Sequence, residues 1–187
     1  FIKIMHQVIV LIPSKNEKST LFKLLNKIKI KTIVVNDNSK DGTRELLKLL
    51  KIEHINNMHN LGYEGSLLKG FRYIKNKYKY CKYILTMDAD GEHQPKFINS
   101  LIKKAKLENA DLTLGNRSNY NRISEHILSF FFKLKFNIYD PLTGFRVYKS
   151  NQLYKFLKKT RPDYFLVDLL LLFKNSNLKI SNINIIT

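Results

Sequence analysis

Lys82-Tyr83-Ile84-Leu85-Thr86-Met87-Asp88-Ala89-Asp90-Gly91-Glu92 is the stretch that decides how this chain folds. It opens as an apolar, aromatic run and closes on carboxylates two residues apart. Such a run reads as a buried strand that delivers acidic side chains at its carboxyl end. Working outward, the same alternation recurs. Val8-Ile9-Val10-Leu11-Ile12 and Thr32-Ile33-Val34-Val35 read as buried strands, and residues 52–55 and 110–114 as further ones. Residues 17–29 predict a helix with Leu21, Leu24, Leu25 and Ile28 on one stripe. Residues 41–50, 63–78 and 95–107 predict three more, with Pro95 suited to a first turn. This order predicts an α/β fold, a mostly parallel central sheet flanked by helices. Ligands of such sheets bind beyond the carboxyl ends of the strands. Residues 13–17, 36–39, 88–92 and 115–117 are polar, follow strands, and are expected to face one crevice.

The second half is less regular. Residues 123–136 carry Ile127, Leu128, Phe130, Phe131, Phe132, Leu134 and Phe136. With Lys133 and Lys135 interleaved, this segment suits an interfacial helix near anionic lipid; a buried core helix is the competing reading. Asp140-Pro141-Leu142-Thr143-Gly144-Phe145-Arg146 reads as a turn into a strand at Val147-Tyr148, before a helix over 164–174 and a strand over 179–186.

The 187 residues fit one domain, and 44% hydrophobic content is that of a folded chain. The net charge of +18 favours polyanionic partners, although scattered lysines also describe a solvated surface. Cys81, the one cysteine, excludes an internal disulfide and a cysteine-rich zinc site, and its neighbours predict a buried thiol. No apolar run reaches the length of a membrane span.

Chemistry concentrates in the loops. Asp88 and Asp90 are hard oxygen ligands that suit Mg²⁺ or Mn²⁺, with Glu92 as a possible third. A metal held there bridges the phosphates of a nucleoside diphosphate. A solvated acidic turn is the plain alternative, which an acid-poor, strongly basic chain makes less natural. In Val34-Val35-Asn36-Asp37-Asn38-Ser39-Lys40-Asp41-Gly42-Thr43, helix capping accounts for Ser39 and Asp41 but less well for Asp37, a candidate for a base or ribose. In Ile12-Pro13-Ser14-Lys15-Asn16-Glu17, Pro13 stiffens the strand exit and Glu17 is placed to reach a ribose hydroxyl; capping by Ser14 or Asn16 competes. Gly62, in Asn60-Leu61-Gly62-Tyr63-Glu64-Gly65, either lets backbone approach a ligand or serves a tight turn.

Taken in order, these motifs, with Gly115-Asn116-Arg117 and Thr143-Gly144-Phe145-Arg146, resemble the family 2 glycosyltransferases over nearly the whole chain. Within them the pattern is most similar to the dolichyl-phosphate mannose synthase and polyprenyl-phosphate glycosyltransferase branch. The resemblance implies a GT-A (Rossmann-like) fold, with a nucleotide-sugar half over 1–118 and an acceptor half over 119–187. It implies an inverting transfer from a UDP- or GDP-sugar, assigns Pro13, Glu17, Asp37, Gly62 and Asp88 to the nucleotide-sugar, and assigns Asp88, Asp90 and Glu92 to the metal. It places Arg117 and Arg146 at the phosphate of a lipid acceptor, beside Asp90 and Asp140 in the catalytic group. Asn36-Asp37 stands where the family often has two aspartates, and Glu92 where the branch has Gln.

A phosphate acceptor arrives as an anion and needs no strong base, whereas a hydroxyl needs a carboxylate, for which Asp140 and Asp168 are the candidates. The lipid reading implies a cytoplasmic protein, peripheral at the cytoplasmic face of a membrane. Transfer to a saccharide hydroxyl in cell-surface polysaccharide synthesis is the alternative. A basic nucleic-acid-binding domain leaves the Asp88/Asp90 pair unexplained, so nucleic acid is not an expected partner. A nucleotidyltransferase would call for a glycine-rich first loop, which residues 13–17 lack. His54, His59, His93 and His126 are dispersed, and none reads as a zinc ligand.

Overall fold

The computed structural model describes residues 7–117, 123–136, 138–161 and 164–185. Strand β1 (Val8–Ser14) leads to helix α1 (Lys18–Leu25), then β2 (Thr32–Asn36), α2 (Thr43–Leu49), β3 (Glu53–Asn56), α3 (Gly62–Lys77) and β4 (Tyr83–Thr86). A 3₁₀ turn at Pro95–Phe97 precedes α4 (Ile98–Leu107), followed by β5 (Leu112–Arg117), α5 (Ile123–Phe136) and β6 (Arg146–Lys149). Helices α6 (Ser150–Phe156) and α7 (Phe165–Asn175) and strand β7 (Ile180–Ile185) complete the described chain. Helix α6 has no counterpart in the sequence reading; it follows β6 directly, without a loop to announce it.

These strands form one seven-stranded sheet in the order β3-β2-β1-β4-β6-β5-β7. Strands β1, β2, β3 and β4 run parallel, as does the β5–β7 pair. Strand β6 runs antiparallel to both β4 and β5, and so separates the two parallel blocks. The sheet is thus mixed but mostly parallel, with helices on its faces: a GT-A-like α/β fold.

Period-two alternation divides the core. In β1, Ile9 and Leu11 pack with Leu67, Phe71 and Ile74 of α3 and with Leu153, Phe165 and Leu169 of α6 and α7. Val10 and Ile12 face the other way, against Leu21, Leu24, Leu47, Ile98 and Leu101 of α1, α2 and α4. Burial of both faces explains why these strands read as unbroken apolar runs. Cys81 is a buried free thiol, and burial pushes its pKa up to about 11, so it is inert. Among the described residues no helix is long and apolar enough to cross a membrane.

Candidate active site

The carboxyl ends of β1, β2 and β4, neighbours in the sheet, bring three of the predicted loops to one edge. Side chains stitch the first two loops together. Asn16 donates its backbone N–H to Ser39 Oγ at 3.0 Å, and its Oδ1 accepts from the Lys40 N–H at 2.8 Å. Asp41 accepts from the Lys18 N–H at 2.8 Å and from the Thr43 hydroxyl at 2.6 Å. Burial works against its charge, but the bonds from Thr43 and Lys18 outweigh it and hold the Asp41 carboxyl below the usual range. Asp41 therefore ties the first residues of α1 and α2 together from just outside α2, whose N-cap position is Gly42.

Asp37 is buried and its carboxylate is engaged. Its Oδ1 accepts from Asn57 Nδ2 and from the Leu61 N–H, both at 2.8 Å, and its Oδ2 accepts from the Gly62 N–H at 2.9 Å. Gly62 stands at φ +73°, where a side chain would be strained. Asp37 thus fixes the turn that opens α3, a function the sequence reading did not assign to it. Pro13 is buried within β1, and Glu17, half-buried at the start of α1, accepts from the Thr20 hydroxyl at 2.6 Å.

Beyond β4 the chain presents Asp88. Burial raises its pKa, with the nearby Asp90 charge adding to the effect against His93 and Tyr63. His93 Nδ1 accepts from the Asp88 backbone N–H at 3.3 Å and lies 3.5 Å from Asp88 Oδ2. The imidazole is fully buried and stacks on Phe145 at 4.9 Å between ring centroids. His93 therefore supports the acidic loop from beneath, a role missed in the sequence, where four histidines looked dispersed. Asp88 Oδ1 is buried and has no hydrogen-bond partner among the described residues. Buried acceptors are rarely left so, and a cation or a ligand would complete this one. Asp90 is exposed, and its Oδ1 accepts from the Glu92 N–H at 2.9 Å.

Glu92 lies exposed on the turn, and among the described residues no three acids or histidines are grouped to hold a metal. The donors present are hard oxygens from two carboxylates. That set fits Mg²⁺ or Mn²⁺ when substrate phosphates supply further ligands. A cleft of about 600 Å³ lies to one side, between α1 and residues 91–99, and is lined by Thr20, Lys23, Lys27, His93 and Lys96. It flanks the carboxylates rather than containing them. A smaller hollow of about 300 Å³ lies at the ends of β2 and β3, lined by Asn36, Asn38, Ser39, Arg44, Asn56 and Asn57.

The predicted acceptor residues are placed differently from expectation. Arg146 is fully buried, and its guanidinium donates to the backbone carbonyls of Thr143 and Pro141, both at 2.7 Å, and of Leu166 at 3.4 Å. It ties the 141–143 turn to α7 and does not present a phosphate fork. Arg117 makes a forked pair with the fully buried Asp140, Nε to Oδ2 at 2.9 Å and Nη2 to Oδ1 at 3.2 Å. Asp168 is likewise forked by Arg161, at 3.0 and 2.7 Å. Both candidate bases are therefore neutralised by an arginine. Residues 115–117 belong to β5 itself, not to a loop beyond it, and β6 separates them from β4.

Helix α5 turns the wrong face outward for a core helix. Ser129 and Phe132 are buried, whereas Ile127, Phe130, Phe131 and Leu134 are 67%, 65%, 53% and 72% exposed. Their spacing makes one continuous apolar stripe, and Lys133 and Lys135 are exposed beside it. The side chains of residues 123–126 and 128, His126 included, lie outside the described residues.

Comparison with known proteins agrees with this fold. Crystal structures of glucosyl-3-phosphoglycerate synthase from Mycobacterium tuberculosis share the fold. The complex with Mn²⁺, uridine diphosphate and glucosyl-3-phosphoglycerate aligns at a TM-score of 0.76 and 15% identity, over 99% of this chain and 72% of that one. The complex with Mg²⁺ and uridine diphosphate aligns at 0.77 and 16%, over 99% and 71%. The uncharacterized protein MJ0544 of Methanocaldococcus jannaschii is 30% identical over 76% of this chain and 71% of its own length. Its compatriot MJ1222 is 27% identical over 97% and 81%. The model of glycosyl transferase family 2 matches residues 9–156, most of the chain. The ordered strand-end motifs, the GT-A-like sheet and this match agree: the chain belongs to glycosyl transferase family 2.

Proposed function

We propose that this chain is a metal-dependent inverting glycosyltransferase that moves a sugar from a UDP- or GDP-sugar to a polyprenyl- or dolichyl-phosphate-type lipid. The observation that carries the donor half is Asp88, whose buried Oδ1 stands without a partner beside Asp90 at the end of β4. A divalent ion on Asp88 and Asp90 would neutralise the diphosphate leaving group. The related synthase structures were crystallised with Mn²⁺ or Mg²⁺ and uridine diphosphate, which favours the same donor chemistry here. Asp37 contributes indirectly, holding the Leu61 and Gly62 amides at the mouth of α3, and Pro13 on β1 and Glu17 at the start of α1 would flank the nucleoside.

Two observations favour an acceptor that is already an anion. Asp140 and Asp168, the carboxylates suited to deprotonate a hydroxyl, are each held in an ion pair. The exposed apolar stripe of α5, with its lysines, is the kind of surface that settles into the headgroup region of an anionic bilayer. It leads directly to the 138–146 segment that carries Asp140, so a lipid-borne phosphate would be delivered beside the Arg117–Asp140 pair. Opening of that fork as acceptor arrives would free Arg117 for the phosphate; Arg146 has no such route.

A donor panel followed by an acceptor panel tests the reading. Thermal stabilisation by UDP-, GDP- and dTDP-sugars is measured with and without Mn²⁺. The stabilising donor is then offered with polyprenyl phosphate in anionic vesicles, with 3-phosphoglycerate, or with a neutral saccharide. Metal-dependent transfer to the lipid phosphate is expected. Transfer to the neutral saccharide, with the lipid inert, would overturn the acceptor assignment and leave the donor assignment standing.

A further inference from the structure

Three groups converge on one point beneath the acidic loop. A methyl group built on Gly144 would lie 2.4 Å from Asp88 Oδ1, 2.7 Å from Asp88 Oδ2 and 2.4 Å from the Tyr63 hydroxyl. An added Cβ would force the Asp88 or Tyr63 side chain to shift, so the constraint on Gly144 is close approach rather than backbone angle. Gly144 is held there from below, since its carbonyl accepts from the buried Thr86 hydroxyl at 2.7 Å. Tyr63 comes from elsewhere in the chain: it follows Gly62 at the start of α3, the turn that Asp37 fixes. Its ring keeps an exposed edge while its hydroxyl lies against the Asp88 carboxylate. A phenol facing a carboxylate is a hydrogen-bond donor.

We propose that Tyr63 is a positioning residue: from the floor set by Gly144, its hydroxyl fixes the rotamer of the Asp88 carboxylate that receives a divalent cation. This rests on the metal reading above. Asp88 sits on a short turn after β4, and its side chain has no partner at Oδ1. His93 secures the backbone and lies near Oδ2. Without Tyr63 the carboxylate is free to rotate toward solvent, which is the entropy a preorganised ligand avoids. The arrangement also ties donor-side order to metal affinity, because Asp37 positions Gly62 and hence Tyr63. The Asp37 carboxylate would then act on the metal through Tyr63 rather than through a nucleoside contact.

Mn²⁺ binding is measured by titration calorimetry on the full chain saturated with uridine diphosphate, for wild type, Tyr63→Phe and Gly144→Ala, with thermal melts of each. Tyr63→Phe should weaken Mn²⁺ binding by about tenfold, the usual loss when a ligand's outer hydrogen bond is removed, while melting within a few degrees of wild type. Gly144→Ala should weaken it further if it folds; if it does not, Tyr63→Phe alone decides. An unchanged Mn²⁺ affinity in Tyr63→Phe overturns the proposal, whatever its melting temperature. A wild-type protein that takes up no Mn²⁺ overturns the metal reading itself, and this inference with it.

Discussion

The two halves of the crevice handle charge in opposite ways. In the proposed donor half, Asp88 is left with an unsatisfied oxygen, Asp90 is exposed, and the surrounding loops are stitched by bonds to backbone amides. In the proposed acceptor half, Asp140 and Arg146 are fully buried, and Arg117, Asp140 and Arg146 are satisfied within the protein. One region keeps electrostatic capacity in reserve for a ligand, and the other spends charge on holding its own shape. A charged residue in a recognised motif is thus not by itself a ligand contact. What separates the two is whether the fold has supplied a partner already.

Mutation of each half should break the comparison differently. Asp90→Ala should lower donor turnover by about a hundredfold or more, because several kcal/mol of leaving-group stabilisation depend on the cation it holds. Its thermal melt should match wild type, since Asp90 is exposed. Turnover at the wild-type level would remove Asp90 from the metal site. Arg117→Ala should show the reverse emphasis. It leaves the buried Asp140 carboxylate unpaired, at about 3–5 kcal/mol of stability by chemical denaturation. Asp140→Asn keeps the shape and relieves that charge, so it should fall between the two; equal stability of all three proteins would mean that the pair is not a structural anchor.

The exposed face of α5 offers a milder test. Replacing Phe130 and Leu134 together by serine should weaken sedimentation with anionic vesicles by about tenfold, in line with the apolar area removed from the bilayer contact. The melting temperature should hold or rise, because both side chains face solvent. Undiminished vesicle binding would assign the stripe to another partner. The smallest effect belongs to neither half. Glu53, on β3, is bound by Lys31 and Lys77, at 2.7 and 2.8 Å, and by Tyr73 and Tyr78. Burial works against its charge, yet these partners prevail and bring its pKa to about 2 from the usual 4.5. A depressed folded-state pKa stabilises at pH above the unfolded value, and that contribution fades as pH falls from about 4.5 toward 2. Glu53→Gln should therefore lose about 1 kcal/mol at neutral pH and converge on wild type in acid. A constant difference between the two across that range would deny the linkage.

The strand ends that converge at one edge of the sheet were legible in the sequence because their signals are local. A strand of period two that ends in Asp88-Ala89-Asp90, or a turn rich in Asn, Asp and Gly before a helix, has its meaning fixed by neighbours within about ten residues. A structural role for Asp41 at the start of α2 was readable for the same reason. Other parts depended on partners far along the chain. Nothing local tells that the Asp37 carboxylate closes on Leu61 and Gly62, or that His93 slides under Asp88 onto Phe145. The burial of Arg146 was not legible because a guanidinium in a motif looks the same whether its partner is a substrate phosphate or the carbonyls of Thr143 and Pro141.

By itself, then, the sequence determined the alternating α/β class, the acidic strand end, the lone inert thiol and the family. Each follows from periodicity, side-chain chemistry or the order of motifs along the chain. Tertiary structure alone decided that β6 runs antiparallel between β4 and β5, which arginines are consumed internally, and that α5 exposes its apolar stripe. The reason is physical. Burial and pairing are properties of where distant segments meet, and the free energy of a charge or an apolar face depends on that meeting, not on the residue's place in the chain.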